Sequence, residues 1–528
     1  MISVSENIVD KVIRYFDPVR SNKRFQARII GAIAGGYTGA RTDRRATSQW
    51  ATRGGDPDSD ILFDLPTLRE RSRDLVRNNP LATGAINTVC TNVVGTGIRL
   101  QARIDREVLG MSEEDADAWE ANTEREWRLW AESQECDIER TLNYYAIQDL
   151  IIRSTLENGD VFTLLPFVKR QTSPYGLKLQ VIEADRICNK NNASDTATLA
   201  GGVEKEESGA PVAYHILDDH PGKLYGSTKG TWAVIPAFGS RTGRRNVIHS
   251  FKKLRPGQTR GVPYLAPVIE SLKQLGNYTE SELMATVVSS MFTVFVKSEL
   301  GESDFAPMMP TSETGGSSSD EDMKLAMGAI VGLAPGEDIT TANPGRPNTA
   351  FDPFVMAVLR QIGVGLELPF EILIKHFTAS YSAARAAILE AWKFFISRRT
   401  WLSFNFCQVV YEAWMWEAVS LGRINAPGFL SDPIIRNAYL GSEWIGPAKG
   451  MINEGVEVTA ADDRVNMGIS TLSEETAQLT GGDWEKKHRQ RIKENRMRVE
   501  AGLIPDSTKL EGAQMNQNQD TPDNGGRT

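Results

Sequence analysis

The sequence predicts an α+β chain of several structural units, and three observations carry that prediction. The chain has 528 residues, enough for three or four units at about 150 residues each. Its composition is that of a globular protein, with 41% hydrophobic and 24% charged residues. Short β-type runs gather in residues 160–251, while strong helical periods lie on both sides of them. Acids exceed bases, 68 to 59, which argues against a protein that coats nucleic acid by bulk attraction but leaves room for a local basic patch. The four cysteines, Cys90, Cys136, Cys188 and Cys407, stand singly. They form no secretory framework and suit a reducing compartment. The start, MISVSENIVDKVIRYF, carries Glu6, Asp10 and Lys11 and has no signal-peptide core. The most apolar stretch, Leu283 to Val296, falls short of the ~20 residues a bilayer core needs. The expectation is a soluble, intracellular protein.

Residues 20–53 form a basic arm with Arg20, Lys23, Arg24, Arg28, Arg41, Arg44, Arg45 and Arg53 against Asp43 alone. It reads as a solvated arm or as one that grips a partner subunit or phosphates. Pro66 suits the first turn of a helix reaching Asn79, and Pro80 opens a second helix that stops at Gly95-Thr-Gly97. IRLQARID is strand-like. Ser112 and Asp115 resemble a capping box for a long helix carrying Trp119, Trp127 and Trp130. Asn143 to Asn158 reads as a helix closed by Gly159. DVFTLLPFV, LKLQVIEA, VAYHILDD, TWAVIPA and NVIHSF follow as strands of a mixed or antiparallel sheet.

Pro263 is expected to start a helix to about Met291, roughly 42 Å long. FTVFVKS leaves it as a strand. Residues 301–322 are acidic and poor in apolar side chains, hence loop or disordered tip. Residues 323–341 suggest a small helix and a strand, and Pro353 opens FVMAVLRQIGVGLEL, ended by Pro369. FEILIKHFTASYS reads as an apolar-to-polar loop. From Tyr381 the pattern is helical to Gly422, about 60 Å if unbroken. Trp392, Phe395, Trp401, Phe404, Tyr411, Trp414 and Trp416 cover more than one face of it, so it must be buried on several sides. A last helix, Trp484 to Ala501, is rich in Lys and Arg, and the tail after Glu511 is expected to be disordered.

The search for reaction chemistry finds little. There is no G-x-x-x-x-G-K-[ST], no G-x-S-x-G and no H-E-x-x-H. The glycine-rich GAIAGGYTGA lacks the lysine of a phosphate cradle. His215 and His220, with Asp218 and Asp219 between them, have ligand-type side chains, but on a strand the two histidines point to opposite faces. Glu113-Glu114-Asp115 and Asp462-Asp463 read as helix starts, where acids favour the helix dipole. A chain this long without a recognisable site suggests work of assembly and shape. One other reading remains on these residues: a metal-dependent nuclease using Asp218, Asp219 and His220.

Several strings resemble the lambda-type portal proteins of tailed bacteriophages. They are Tyr37-Thr-Gly-Ala-Arg41 leading to Trp50, LRERSRDLVRNNPLATGAINTVCTNVVGTGIRLQ (68–101), WRLWAESQECDIER (127–140), ENGDVF (157–162), VAYHILDDHPG (212–222), RPGQTRGVPYLAPVI (255–269), LELPFEIL…YSAARAAILEAWKFF (366–395) and Gly441-Ser-Glu-Trp-Ile-Gly-Pro447. They run in order over about residues 35–505. No single one is a catalytic signature; their number and order make the likeness specific, and the alternative it leaves open is another ring or adaptor component of a virion without a packaging role. One departure follows Pro447, where Met451-Ile-Asn-Glu-Gly455 replaces the family's usual Asp-Pro-x-Lys-Glu type run.

The resemblance implies a ring-forming, multi-domain portal fold, usually of twelve copies, at one capsid vertex, with double-stranded DNA passing through its centre. The expected parts are a basic N-terminal arm (1–60), a wing (61–262), stem helices 263–291 and 352–369 around a small α/β clip (292–351), a tunnel loop (370–381), a long wing helix and connection (382–439), a helical crown (440–505) and a disordered tail (506–528). Ile374, Lys375, His376, Phe377, Thr378, Ser380 and Tyr381 are the candidate channel residues. The resemblance implies no catalytic residue, cofactor, metal or membrane. Its implied partners are further copies of the chain, the terminase large subunit as a separate motor, capsid and scaffold proteins, and head-completion or tail connector proteins. The arm would embrace a neighbour or meet capsid or scaffold. DNA contact should be weak and non-specific, because each neutralised phosphate tightens binding through counterion release.

Overall fold

The computed structural model describes residues 45–52, 54–223, 230–290, 294–298, 337–341, 350–377 and 380–503, with isolated residues before 45. Two compact units divide the chain, Met1–Asp56 and Pro57–Thr528. Most of the basic arm lies outside the described residues; of its neighbourhood, residues 45–49 form turns and Trp50 is exposed. The second unit begins inside the expected 1–60 arm, because the helical turn Pro57–Ile61 is tied into it. Asp58 accepts from the Thr259 N–H at 2.8 Å and meets the Lys205 ammonium at 3.0 Å.

The second unit is built around two short helices, α1 (Leu65–Asn78) and α2 (Pro80–Val93). Asn79 separates them. Its extended backbone ends α1, its side chain caps α2 by accepting from the N–H groups of Leu81 and Ala82, and Pro80 takes the first helical position. Ala82, Ala85, Ile86, Val89 and Val93 are fully buried, so α2 is a core helix. The carbonyls that end it accept from Arg399, which supplies the donors a buried helix terminus lacks.

Strand β1 (Arg99–Ala102) and helices α3 (Glu113–Ala131) and α4 (Tyr144–Asn158) stand as the sequence predicts. Ser112 caps α3, but the box differs from expectation. The Asp115 carboxylate accepts from the Ser112 hydroxyl at 2.7 Å, one methylene too short to reach back as Glu does. The strands then form two antiparallel sheets. One has the order β3–β2–β8 (Gln180–Ile182, Asp160–Leu164, Val247–Phe251). The other has the order β4–β5–β6–β7 (Leu199–Ala200, Val203–Lys205, Pro211–Leu217, Trp232–Pro236). Phe162, Ile182, Val203, Tyr214, Ile216 and Val247 make a small core between them.

Helix α5 (Ile269–Ser290) starts six residues later than Pro263 suggests. A tight 3-10 turn, Ala266–Val268, precedes it and contains Pro267. That second proline, lacking an N–H, sits at the start of the regular helix and sets its beginning. The helix is therefore about 33 Å long. Beyond it, β9 (Val294–Ser298) pairs antiparallel with β10 (Glu337–Thr341). The acidic tip and the expected small helix after it lie outside the described residues. Helix α6 (Phe351–Gly365) runs beside α5, with Tyr278 of α5 stacked on Phe351 and edge-on to Phe354 at 5.7 and 5.0 Å.

Residues 370–374 are helical, α7 (Phe370–Ile374), where the sequence suggested loop. Pro369 leads into this single turn, and Leu373 is buried in the main core. The long helix is present as α8 (Tyr381–Leu402) and α9 (Gln408–Ser420), joined without a break by one π turn, Ser403–Cys407. It crosses the aromatic centre of the unit. The Trp127 ring packs on Trp130, Tyr144, Tyr411, Trp414 and Trp444 at 5.0–6.1 Å.

Helix α10 (Pro433–Tyr439) leads to β11 (Ser442–Ile445), which pairs with β1. Residues 442–445 thus pair with a strand more than three hundred residues earlier in the chain. Three helices close the described chain: α11 (Glu454–Asn466), α12 (Leu472–Thr480) and α13 (Trp484–Glu500). Asn453, within the segment that departs from the resemblance, caps α11. Asp462 and Asp463 consequently fall near the end of that helix, not at its start. Both are exposed, where water screens their unfavourable place in the helix dipole.

Candidate functional site

The root of the α5–α6 pair is held by a buried charge cluster. Asp160, the first residue of β2, is fully buried. One carboxylate oxygen accepts from Arg69 at 2.7 Å and from Arg260 at 3.2 Å. The other accepts from Arg260 Nε at 2.6 Å and the Gly261 N–H at 3.2 Å, and His249 Nε2 lies 3.2 Å away. Burial alone would raise the Asp160 pKa. The guanidiniums of Arg260 and Arg69 outweigh it and hold the carboxyl well below the ordinary range. Burial lowers Arg69 to about 10 and pushes His249 down, so its imidazole stays neutral. Arg260 spends its other donors on the carbonyls of Ile187, Gly201 and Ala184.

Two glycines let this cluster close. Gly159 has φ +91°, and a Cβ there would stand 2.5 Å from the carbonyl oxygen of Gly261, whose own Cβ would fall still nearer Gly159. The cluster joins α1, β2, β8 and the segment that enters α5. With no solvent access to Asp160, its role is to position that segment and not to turn over a substrate.

The foot of α6 leads to the predicted channel residues. A cavity of about 610 Å³ lies there, bordered by Arg360, Glu367, Phe370, Glu390, Lys393 and Phe394 among others. Ile374 is half-buried and packs against the core. Lys375 ends α7 in the left-handed conformation, φ 55°, and its N–H bonds back to Glu371. That reversal throws Lys375, His376 and Phe377 into solvent, and Ser380 and Tyr381 beyond them are exposed too. Thr378 lies outside the described residues. The Ser380 and Ser382 hydroxyls are 3.1 Å apart at the start of α8.

The ligand-type residues do not assemble into a nuclease centre. His215 is buried with Nε2 2.8 Å from Glu204. Asp219 pairs with Lys223 at 2.8 Å. His220 turns away from both aspartates to Asp185 and Glu183, at 3.3 and 3.7 Å. Glu183, Asp185 and His220 present their ligand atoms within 4.8 Å of one another. Those carboxylates are already engaged by arginines: Arg73 with both, and Arg69 with Asp185 at 3.3 Å. A cation there would have to displace guanidiniums. Glu113, Glu114 and Asp115 sit at the start of α3, as expected.

The sequence profile of the family described as phage portal protein, lambda family, matches residues 43–399. The chain belongs to that family. Portal protein B of Escherichia phage lambda is 27% identical over 472 residues, covering 85% of this portal chain and 87% of its own length. The portal protein of Escherichia phage N15 is 27% identical over 476 residues, covering 86% and 89%. Among solved structures, the neck of a native gene transfer agent particle computed with C12 symmetry overlaps with a TM-score of 0.41 at 14% identity, covering 79% of this chain and 93% of that one.

The strings that mark the portal likeness contain the members of the buried cluster. Arg69 stands in 68–101, Asp160 in 157–162 and Arg260 in 255–269. Sequence reading missed the cluster, because Arg69 and Arg260 stand 91 and 100 residues from Asp160 along the chain. The available signal was a lone Asp directly after a helix-ending glycine and before five apolar or β-branched residues, a place where a carboxylate is costly unless paired.

Proposed function

We propose that this portal subunit joins copies of itself into a ring at one capsid vertex, through whose centre double-stranded DNA enters the head and later leaves. Membership of the lambda family, over a match that includes both α5 and α6, carries the reading. The surface of the helix pair supports it. Leu283, Met284, Phe354 and Val364 are exposed by half or more in the isolated chain. Such apolar side chains call for cover, and a neighbouring copy supplies it when a head-to-tail interface closes into a ring.

On this reading residues 61–262 with β11 form the wing, α5 and α6 the stem, 292–351 the clip, the turn after α7 the tunnel loop, and α11 to α13 the crown. Lys375, His376, Phe377, Ser380 and Tyr381 face the hole. Repeated by symmetry, one Lys per copy guides or slows DNA without clamping it. The terminase docks on the clip and supplies the motor, and head-completion or tail connector proteins replace it. Electron microscopy of the purified chain tests the whole reading: a ring with a central hole is expected, and a monomer or closed disc refutes it. Replacing Lys375 and His376 by Ser should change the amount of DNA packaged or retained; unchanged packaging and retention remove the loop as a contact.

A further inference from the structure

The last helix carries a dense run of exposed positive charge. Helix α13 holds Lys486, Lys487, Arg489, Arg491, Lys493, Arg496 and Arg498 against Glu485, Glu494 and Glu500. Its first turn is fastened to the body. Lys486 meets Glu124 at 2.6 Å, and Glu485 meets Arg103 at 2.9 Å. Beyond that turn the helix stands free, and every side chain from Lys486 to Arg498 is exposed. Arg491, Lys493, Arg496 and Arg498 have no hydrogen-bond or ion-pair partner among the described residues. This occurs in a chain with a formal charge of −9, where carboxylates are plentiful. At 100° per residue Arg491 and Arg498 share one side of the helix, and Lys493 and Arg496 share the opposite side.

We propose that α13 is a phosphate-contacting surface for double-stranded DNA, about 20 Å long, and that it holds the duplex more strongly than the loop at 375–381. The match is one of charge and shape. A duplex presents phosphates about every 1.7 Å of its axis and needs no particular base contact to bind a row of cations. An isolated helix so dense in like charge repels itself, and copies placed around one axis would repel one another further. A polyanion lying against them relieves both. The placement of DNA near α13 in the particle rests on the channel reading above; the binding itself does not.

The test uses the full chain and a short labelled duplex of arbitrary sequence, with affinity measured between about 50 and 200 mM salt. The variant is R491S/R498S combined with K493S/R496S. A duplex along either side of the helix meets two cations, so the slope of log affinity against log salt should become shallower by about 2. The charge-keeping variant R491K/R496K/R498K should retain the wild-type slope. A wild type that binds no duplex, or a serine variant with the wild-type slope, overturns the proposal. If the serine variant keeps that slope but fails to enter capsid shells, the helix serves an acidic protein partner instead and the DNA assignment is wrong. Micrographs of the same samples separate the two readings. Rings with an unchanged slope remove only the role of α13, whereas a wild type that forms no ring removes the channel.

Discussion

Arg69 and Arg260 are buried around one carboxylate, whereas Arg491, Arg496 and Arg498 on α13 stand in solvent without any. The same side chain serves two ends in this molecule. At Asp160 the guanidinium donors are spent inside the subunit, on carboxylates and on the carbonyls of Ala184, Ile187 and Gly201. They fix the segment that enters α5. On α13 the donors remain available, and their attraction acts on something outside the subunit. An arginine count would rate the two regions alike; burial and pairing tell them apart.

The largest effect should follow from breaking the buried side of this contrast. Asp160→Asn leaves the buried Arg260 guanidinium without a counter-charge and Arg69 with Asp185 alone, and should lower stability by about 3–5 kcal/mol, read as a shift of the urea midpoint at fixed protein concentration. A shift under about 1 kcal/mol would show that water or neighbouring carbonyls can stand in for the carboxylate. A second variant sharpens the electrostatics. His249 has a lowered pKa in the fold, so its contribution is present above the unfolded value of about 6.5 and lost as pH falls below it. Stability of the wild type should drop as pH falls below about 6.5, and His249→Gln should flatten that drop. Equal slopes would mean that the imidazole is charged beside Asp160. Asp160 itself, held low, gives up its contribution only in stronger acid, below about pH 3.9. The smallest effect belongs to Lys393–Glu390. At 2.7 Å it is as short as Arg69–Asp160, but its side chains are 74% and 69% exposed against 5% and 0%. Glu390→Gln should cost about 0.5 kcal/mol or less. A loss comparable to that of Asp160→Asn would refute the claim that burial sets the value of these pairs.

Much of the fold was legible because its signals are local. Pro80, Ser112 and Asn143 mark helix starts in the sequence, and Ser112 caps as expected, while Asn79 and Asn143 prove to be caps as well. The strand-rich block at 160–251 likewise announced its sheets, though not that they are two. Where two local signals competed, the reading slipped. Pro263 and Pro267 both suit a helix start, and only packing decides between them. Asp462 and Asp463 resemble a helix start but lie near an end, because Asn453 caps earlier. The Asp160 cluster was illegible for another reason. A carboxylate between strand and helix gives no hint that its partners come from residues 69, 249 and 260. Of the predicted loop residues, Ile374 packs against the core, because an apolar side chain at the end of a helical turn is drawn there.

The π turn at Ser403–Cys407 puts the long helix in two phases. An i→i+5 turn inserts one residue into the winding, so everything beyond it is rotated by about 100° from where an uninterrupted helix would carry it. That offset aims Tyr411 and Trp414 at Trp127 and leaves Phe404 outside. Deleting a single residue between 403 and 407 would give a more regular rod and a worse protein, with its distal aromatics swung off the centre. The length of this stretch is thus counted to the residue, in a chain whose surface turns carry no such arithmetic.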